Sequence, residues 1–170
     1  MTMSSAKRVA YGGLLVAAAL MFSYVESFIP MSSIVSLPGF KLGLANVCVM
    51  LAVYLLGLFD GLLVVLCKTA LIAILFGTPV SFMYSFAGGL LSFLFIVFCK
   101  YMLKGRISYI GVSVGSAACH NIGQVCVAAV IFKNMSVIWY LEWLLPVSVI
   151  TGIITGILAF SFNKIAEKKI

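Results

Sequence analysis

Lys68 stands near the middle of an otherwise apolar run, "GLLVVLCKTALIAILFG", that extends from Gly61 to Gly77. A charged side chain at mid-bilayer costs about 3 kcal/mol on insertion scales, so a compensating group has to face it. Glu26, Asn46, His120, Asn121 and Gln124 also fall within apolar stretches. In "HNIGQ", His120 and Gln124 are four apart and Asn121 and Gln124 three apart, which places their polar groups on one helix face. An ammonium, a carboxylate, an imidazole and three amides form a set suited to binding a polar or anionic solute by charge and hydrogen bonds. Tyr84 is a candidate wall residue for such a site. A structural network between helices, holding no ligand, is the competing reading of the same residues.

The elements that position these groups follow from composition. The chain has 170 residues, 64% of them hydrophobic and only 9% charged, whereas soluble domains carry about 25% charged residues. A soluble fold of this length lacks the interior to hide so much apolar surface. The apolar sequence also falls into helix-length blocks, not the alternating segments of about ten residues that mark an outer-membrane barrel. The expected fold is all-α: a polytopic membrane protein forming one integral membrane domain over residues 1–170.

Breakers and short polar turns divide that domain into six spans, roughly 9–29, 42–58, 61–76, 80–102, 109–132 and 137–162. The basic, apolar N-terminal stretch reads as the first span, because it continues through "SYVESFIP" without a signal-peptide cleavage site. The first connection, "PMSSIVSLPGFK", carries Pro30 and Pro38 and is expected to be a packed loop. With the N-terminus in the cytoplasm, Lys7, Arg8, Lys100, Lys104, Arg106, Lys164, Lys168 and Lys169 fall inside, against Lys41 and Lys133 outside. This bias predicts a multi-pass protein of a bacterial cell membrane with both termini cytoplasmic. The +7 net charge is then mostly topology, not a nucleic-acid patch.

At a rise of about 1.5 Å per residue, Lys68 comes out about 10 to 12 Å above the cytoplasmic end, His120 about 17 Å, and Asn46, Gln124 and Glu26 about 22 to 25 Å. Lipid satisfies none of these groups, so they must face the bundle interior. A cavity in the outer half is the expected result, with the Lys68 ammonium reaching up to Glu26 by preference, or to an anionic ligand. Asp60 is a poorer partner, two helical turns below. Trp139, Tyr140 and Trp143 match an interfacial aromatic belt, and Glu142 among them either caps the site or faces water.

Ala6, Ala10, Gly13 and Ala17 recur at spacings of three or four on the first span, a small-residue stripe that lets another helix approach closely. That helix belongs to this chain or to a separate membrane subunit. Similar stripes, "FAGGLLS" and "GIITG", suit internal packing. The five cysteines form no C-x-x-C pair and read as buried free thiols. No D-D-x-x-D, H-E-x-x-H, G-x-S-x-G or P-loop motif occurs, and four acidic residues with one histidine make a poor supply for acid-base or two-metal chemistry. The expectation is a non-enzyme without metal or cofactor, dependent on partners because it shows no inverted repeat of the kind autonomous transporters use.

The blocks "PGFKLGLANVCVMLAVYLLGLFDGLLVVLCK", "SFAGGLLS" and "GVSVGSAACHNIGQ" resemble the family called Gx transporters, also known as heptaprenyl diphosphate synthase component I, over roughly Lys7 to Phe162. That family is similar in size and hydropathy to the S components of energy-coupling factor transporters. The resemblance implies a six-transmembrane-helix bundle that captures a small solute, anionic or vitamin-like, from outside as the substrate-binding subunit of an importer. It also implies partners, a transmembrane coupling protein and cytoplasmic ATPases, met through an alanine-rich stripe on the first helix that Ala10, Gly13 and Ala17 occupy here. In the family the Lys68 position is commonly arginine; lysine keeps the charge but not the planar bidentate fork. The family's other name implies a different role, a non-catalytic membrane accessory of heptaprenyl diphosphate, menaquinone or extracellular electron transfer pathways.

Overall fold

The computed structural model describes residues 4–28, 40–104 and 106–167. It contains six α-helices: α1 (Ser5–Ser27), α2 (Asn46–Leu55), α3 (Leu58–Phe76), α4 (Pro79–Tyr101), α5 (Tyr109–Phe132) and α6 (Leu141–Glu167). A 3-10 turn, Met135–Tyr140, leads into α6. No strand occurs among the described residues. Five helical segments among those residues are long and apolar enough to cross a membrane. Local chemistry sets several ends: the Ser4, Thr78 and Ser108 hydroxyls accept the first free amides of α1, α4 and α5, and Pro79 opens α4 without an amide to satisfy.

The second span departs from expectation. A helix over 42–58 was predicted from hydropathy, but α2 begins only at Asn46 and is ten residues long. Its rise of about 15 Å is half the bilayer's hydrocarbon thickness. Gly43 is the local cause: its φ of +83° lies in the left-handed region, outside the helical range. Residues 40–43 form no helix, and the chain then tightens as the Asn46, Val47 and Cys48 amides bond to the carbonyls of Gly43, Leu44 and Ala45. The last span also shifts, its α-helix starting at Leu141 after the 3-10 turn instead of at Val137. The packed-loop expectation for Pro30 to Pro38 lies outside the described residues.

The shortest helix occupies the centre. α2 packs against all five other helices, and every residue from Asn46 to Val53 is buried. Around it α1 packs on α3, α3 on α4, α4 on α5 and α5 on α6. α6 and α1 do not meet, so the ring is open at one place. There a groove of about 480 Å³ is lined by Val47, Cys48, Leu51 and Leu55 of α2, by Leu14, Ala18 and Phe22 of α1 and by Leu158 and Phe162 of α6.

The two internal small-residue stripes pack as expected. A methyl group on Gly123 would lie 2.8 Å from the Ala87 carbonyl oxygen, and one on Gly156 2.7 Å from the Ile110 Cα, so glycine sets how closely α4 and α6 approach α5. The stripe on α1 behaves differently: Ala10, Gly13 and Ala17 are exposed, and nothing lies within 4 Å of a Cβ placed on Gly13. α1 turns only Ala19, Ser23 and Glu26 fully inward. Of the two partners open to the stripe, the structure removes a helix among the described residues of this chain. Of the five thiols, Cys48 and Cys99 are buried, whereas Cys67 and Cys126 are exposed on the bundle surface, against the reading of all five as core.

Candidate functional site

The polar residues on the helices converge where α2 starts late. Lys68, on α3, is 3% exposed and donates from Nζ to the Asn46 Oδ1 at 2.6 Å. The expected ion pair with Glu26 does not form: the Glu26 carboxylate accepts the Leu44 amide, a donor freed because the chain is not yet helical there. The one ion pair among the described residues joins Arg8 and Asp60 at the other end of the bundle, which also removes Asp60 as a partner for Lys68. Glu26, Asn46, Lys68 and His120 surround a void of about 10 Å³, with Ser85 of α4 and Lys41 completing its polar lining. That volume holds about one water molecule.

Four side-chain atoms at this void have no hydrogen-bond partner among the described residues: Asn46 Nδ2, Ser85 Oγ, and Nδ1 and Nε2 of His120. More than about 90% of buried polar groups in native proteins are paired, and each orphan costs about 1–3 kcal/mol. The imidazole is held between two glycines. A methyl on Gly88 would come within 2.7 Å of His120 Nδ1, and one on Gly43 within 2.9 Å of His120 Cδ2 and Asn46 Nδ2. Glycine at both places therefore clears the space that His120 occupies.

Residues 40–45 close the site from the end where α1 finishes and α2 begins. Gln124, fully buried on α5, accepts the Lys41 amide at 2.9 Å and donates to the Lys41 carbonyl at 2.8 Å, pairing both backbone groups of one residue. Phe40 and Leu42 insert into an apolar cluster with Tyr84, Val125, Val137 and Leu144. With Glu26 holding Leu44, the segment is a lid fastened at three points. Lys41, within it, is half-buried, and burial pushes its ammonium below the ordinary lysine range, opposed by the nearby Glu26 charge.

All seven predicted site residues are buried, but they do different jobs. Lys68, Glu26, Asn46 and His120 line the void. Gln124 latches the lid. Asn121 accepts from Gln124 Nε2 at 3.1 Å and donates to Ser148 Oγ at 2.7 Å and to the Leu144 carbonyl at 3.2 Å, and so ties α5 to α6 behind the latch. Tyr84 backs the lid with its ring 5.1 Å from Phe40, and its hydroxyl is unpartnered. Glu142 does not cap the site; it is exposed in a surface recess beside Phe132, Trp139 and Trp143. Sequence reasoning missed Ser23, Lys41, Gly43 and Ser85. Ser23 was within reach of it, three residues before Glu26 on the same helix face.

Residues 15–162 match the model of one family, described as heptaprenyl diphosphate synthase component I. No curated protein and no solved structure matches the chain.

Proposed function

The chain belongs to the heptaprenyl diphosphate synthase component I family, and from that premise we propose that it is a solute-binding membrane subunit of an importer, not the catalytic part of a synthase. The observation that carries this reading is the cluster of unpartnered buried polar atoms on Asn46, Ser85 and His120, gathered at one lidded void with Lys68 and Glu26. Groups left orphaned together in one place are those a polar solute satisfies when it binds. A purely structural network would pair them with one another, as Ser113 pairs with Thr155 and Asn121 with Ser148 elsewhere in the bundle.

The lid gives the solute its route. Its backbone is held by hydrogen bonds at Lys41 and Leu44 and by the side chains of Phe40 and Leu42, and release of these contacts opens the void to one side of the membrane. That side is external if the end bearing Lys7, Arg8, Lys100, Lys104, Arg106 and Lys164 is cytoplasmic, as the charge distribution favours. The exposed Ala10, Gly13 and Ala17 stripe is the surface for a transmembrane coupling protein, through which cytoplasmic ATPases drive release. The chain itself is non-catalytic in this reading; Glu26 is the one acid at the void.

A second reading, the membrane accessory of prenyl diphosphate or quinone metabolism, draws on the groove between α1, α2 and α6, whose apolar lining suits a lipid chain. Of Lys100, Lys104 and Arg106, the cations that reading offers to a diphosphate, Lys100 is committed elsewhere: its Nζ lies 2.6 Å from the Val53 carbonyl oxygen at the end of α2. Native mass spectrometry of the gently purified protein separates the two. Solute binding predicts a small polar molecule that is lost in Lys68→Met; a retained prenyl lipid instead, unaffected by that substitution, supports the accessory reading.

A further inference from the structure

Charge at the lidded void does not balance. Two lysines line it, Lys68 on α3 and Lys41 on the lid, and Glu26 is the single carboxylate among the described lining residues. Neither lysine lies within ion-pair distance of Glu26. Of the other acids, Asp60 is bound to Arg8 at the far end, Glu142 is exposed in the outer recess, and Glu167 closes α6 at the opposite end of the bundle. With all three groups ionised, two positive charges against one negative leave the site at +1. An uncompensated buried charge costs several kcal/mol, and two like charges at one void add to it.

Resting on the solute-binding reading, we propose that the solute is an oxyanion, a small molecule carrying a carboxylate or phosphate, held between Lys41 and Lys68. Lys68 spends one donor on Asn46 Oδ1 and has two more; Lys41 brings three. Asn46 Nδ2, Ser85 Oγ and one nitrogen of His120 supply hydrogen bonds to the rest of the molecule. Lys41 belongs to the lid, so the binding charge is divided between a fixed half and a moving half. The closed void has room for about one water, so the anion enters as the lid parts, between Lys68 on the fixed wall and Lys41 on the moving one.

The test uses two thiol reagents of similar size and opposite charge on the full chain in lipid nanodiscs. The five native cysteines are replaced, and Ser85→Cys places one thiol at the void. The anionic sulfonatoethyl methanethiosulfonate should react about tenfold faster than the cationic trimethylammonioethyl reagent, in line with electrostatic focusing in a charged cleft. The ratio cancels the thiol's own reactivity. Lys41→Gln and Lys68→Gln should each remove most of the preference, and Lys133→Gln, distant from the void, should leave it. Lys41→Gln lies outside the helices and keeps the test available if Lys68→Gln fails to fold. Equal rates, or a faster cationic reagent, overturn the anion assignment and leave solute binding standing. If neither reagent reacts while an exposed Ser136→Cys reacts with both, the lid does not open, and the solute-binding reading falls too.

Discussion

Replacing Gln124 with methionine should release the lid while preserving side-chain length in the core. The amide makes two hydrogen bonds to the Lys41 backbone, at 2.9 and 2.8 Å. Each is worth about 0.5–1.5 kcal/mol net. Their loss favours the open state by about 1–3 kcal/mol, or about 5- to 150-fold in the ratio of open to closed molecules. Hydrogen exchange measured by mass spectrometry in nanodiscs reads that ratio directly, because amide exchange follows the population of the open form. Amides of residues 40–45 should exchange faster by that factor, Leu44 together with Lys41, while the α5 backbone keeps its rate. An unchanged rate over 40–45 would mean that Phe40 and Leu42 hold the segment by packing alone. A uniform rise over every helix would mean that the amide supports the bundle and not the lid. Either result refutes the latch.

Gly88→Ala places a methyl 2.7 Å from both Nδ1 and the carbonyl oxygen of His120, and should destabilise the protein by about 1–3 kcal/mol in thermal melting while lowering retention of any co-purified solute. Lys100→Met leaves the Val53 carbonyl at the end of α2 without its ammonium donor, a loss of about 1–3 kcal/mol visible in the same melting assay. Ala17→Leu, on the outward stripe of α1, should change stability by less than about 0.5 kcal/mol yet abolish co-purification with a transmembrane partner. Recovery of that partner at wild-type level would remove the stripe from the interface.

The helices were legible because mean hydropathy and breakers are local properties, and α5 matches its expected bounds of 109–132. What escaped was non-local. "KLGLAN" is as apolar as a helix start, but the Lys41 backbone is bound by Gln124, which lies 83 residues away in sequence. With that segment outside the helix, Leu44 has a free amide to give Glu26, and Lys68 turns to Asn46 instead. The error in pairing thus follows from the error in one helix boundary. Asn121 shows a second limit: three-residue spacing places it on one face with Gln124, yet that face borders α6 as well as the void, and Asn121 serves α6. Lys41 reads from sequence only as a flanking cation, since its place in the lid depends on the same long-range bonds.

The brevity of α2 also has a consequence for how the protein enters the membrane. At about 15 Å, the ten residues of α2 cannot cross a hydrocarbon core of about 30 Å alone, and the non-helical stretch ahead of them carries amides that lipid cannot satisfy. α2 therefore has no stable resting place in the bilayer as an independent segment. It must insert with α3 as a hairpin through Gly57, whose φ of +113° turns the chain between them. Even then Lys41 waits for Gln124, which emerges from the ribosome only with α5. Until that helix arrives, the polar half of the bundle has to be held by water, by lipid headgroups or by the insertion machinery. Late helices thus complete the early ones, and a substitution in α5 that looks mild in the finished fold is placed to impair yield before it impairs binding.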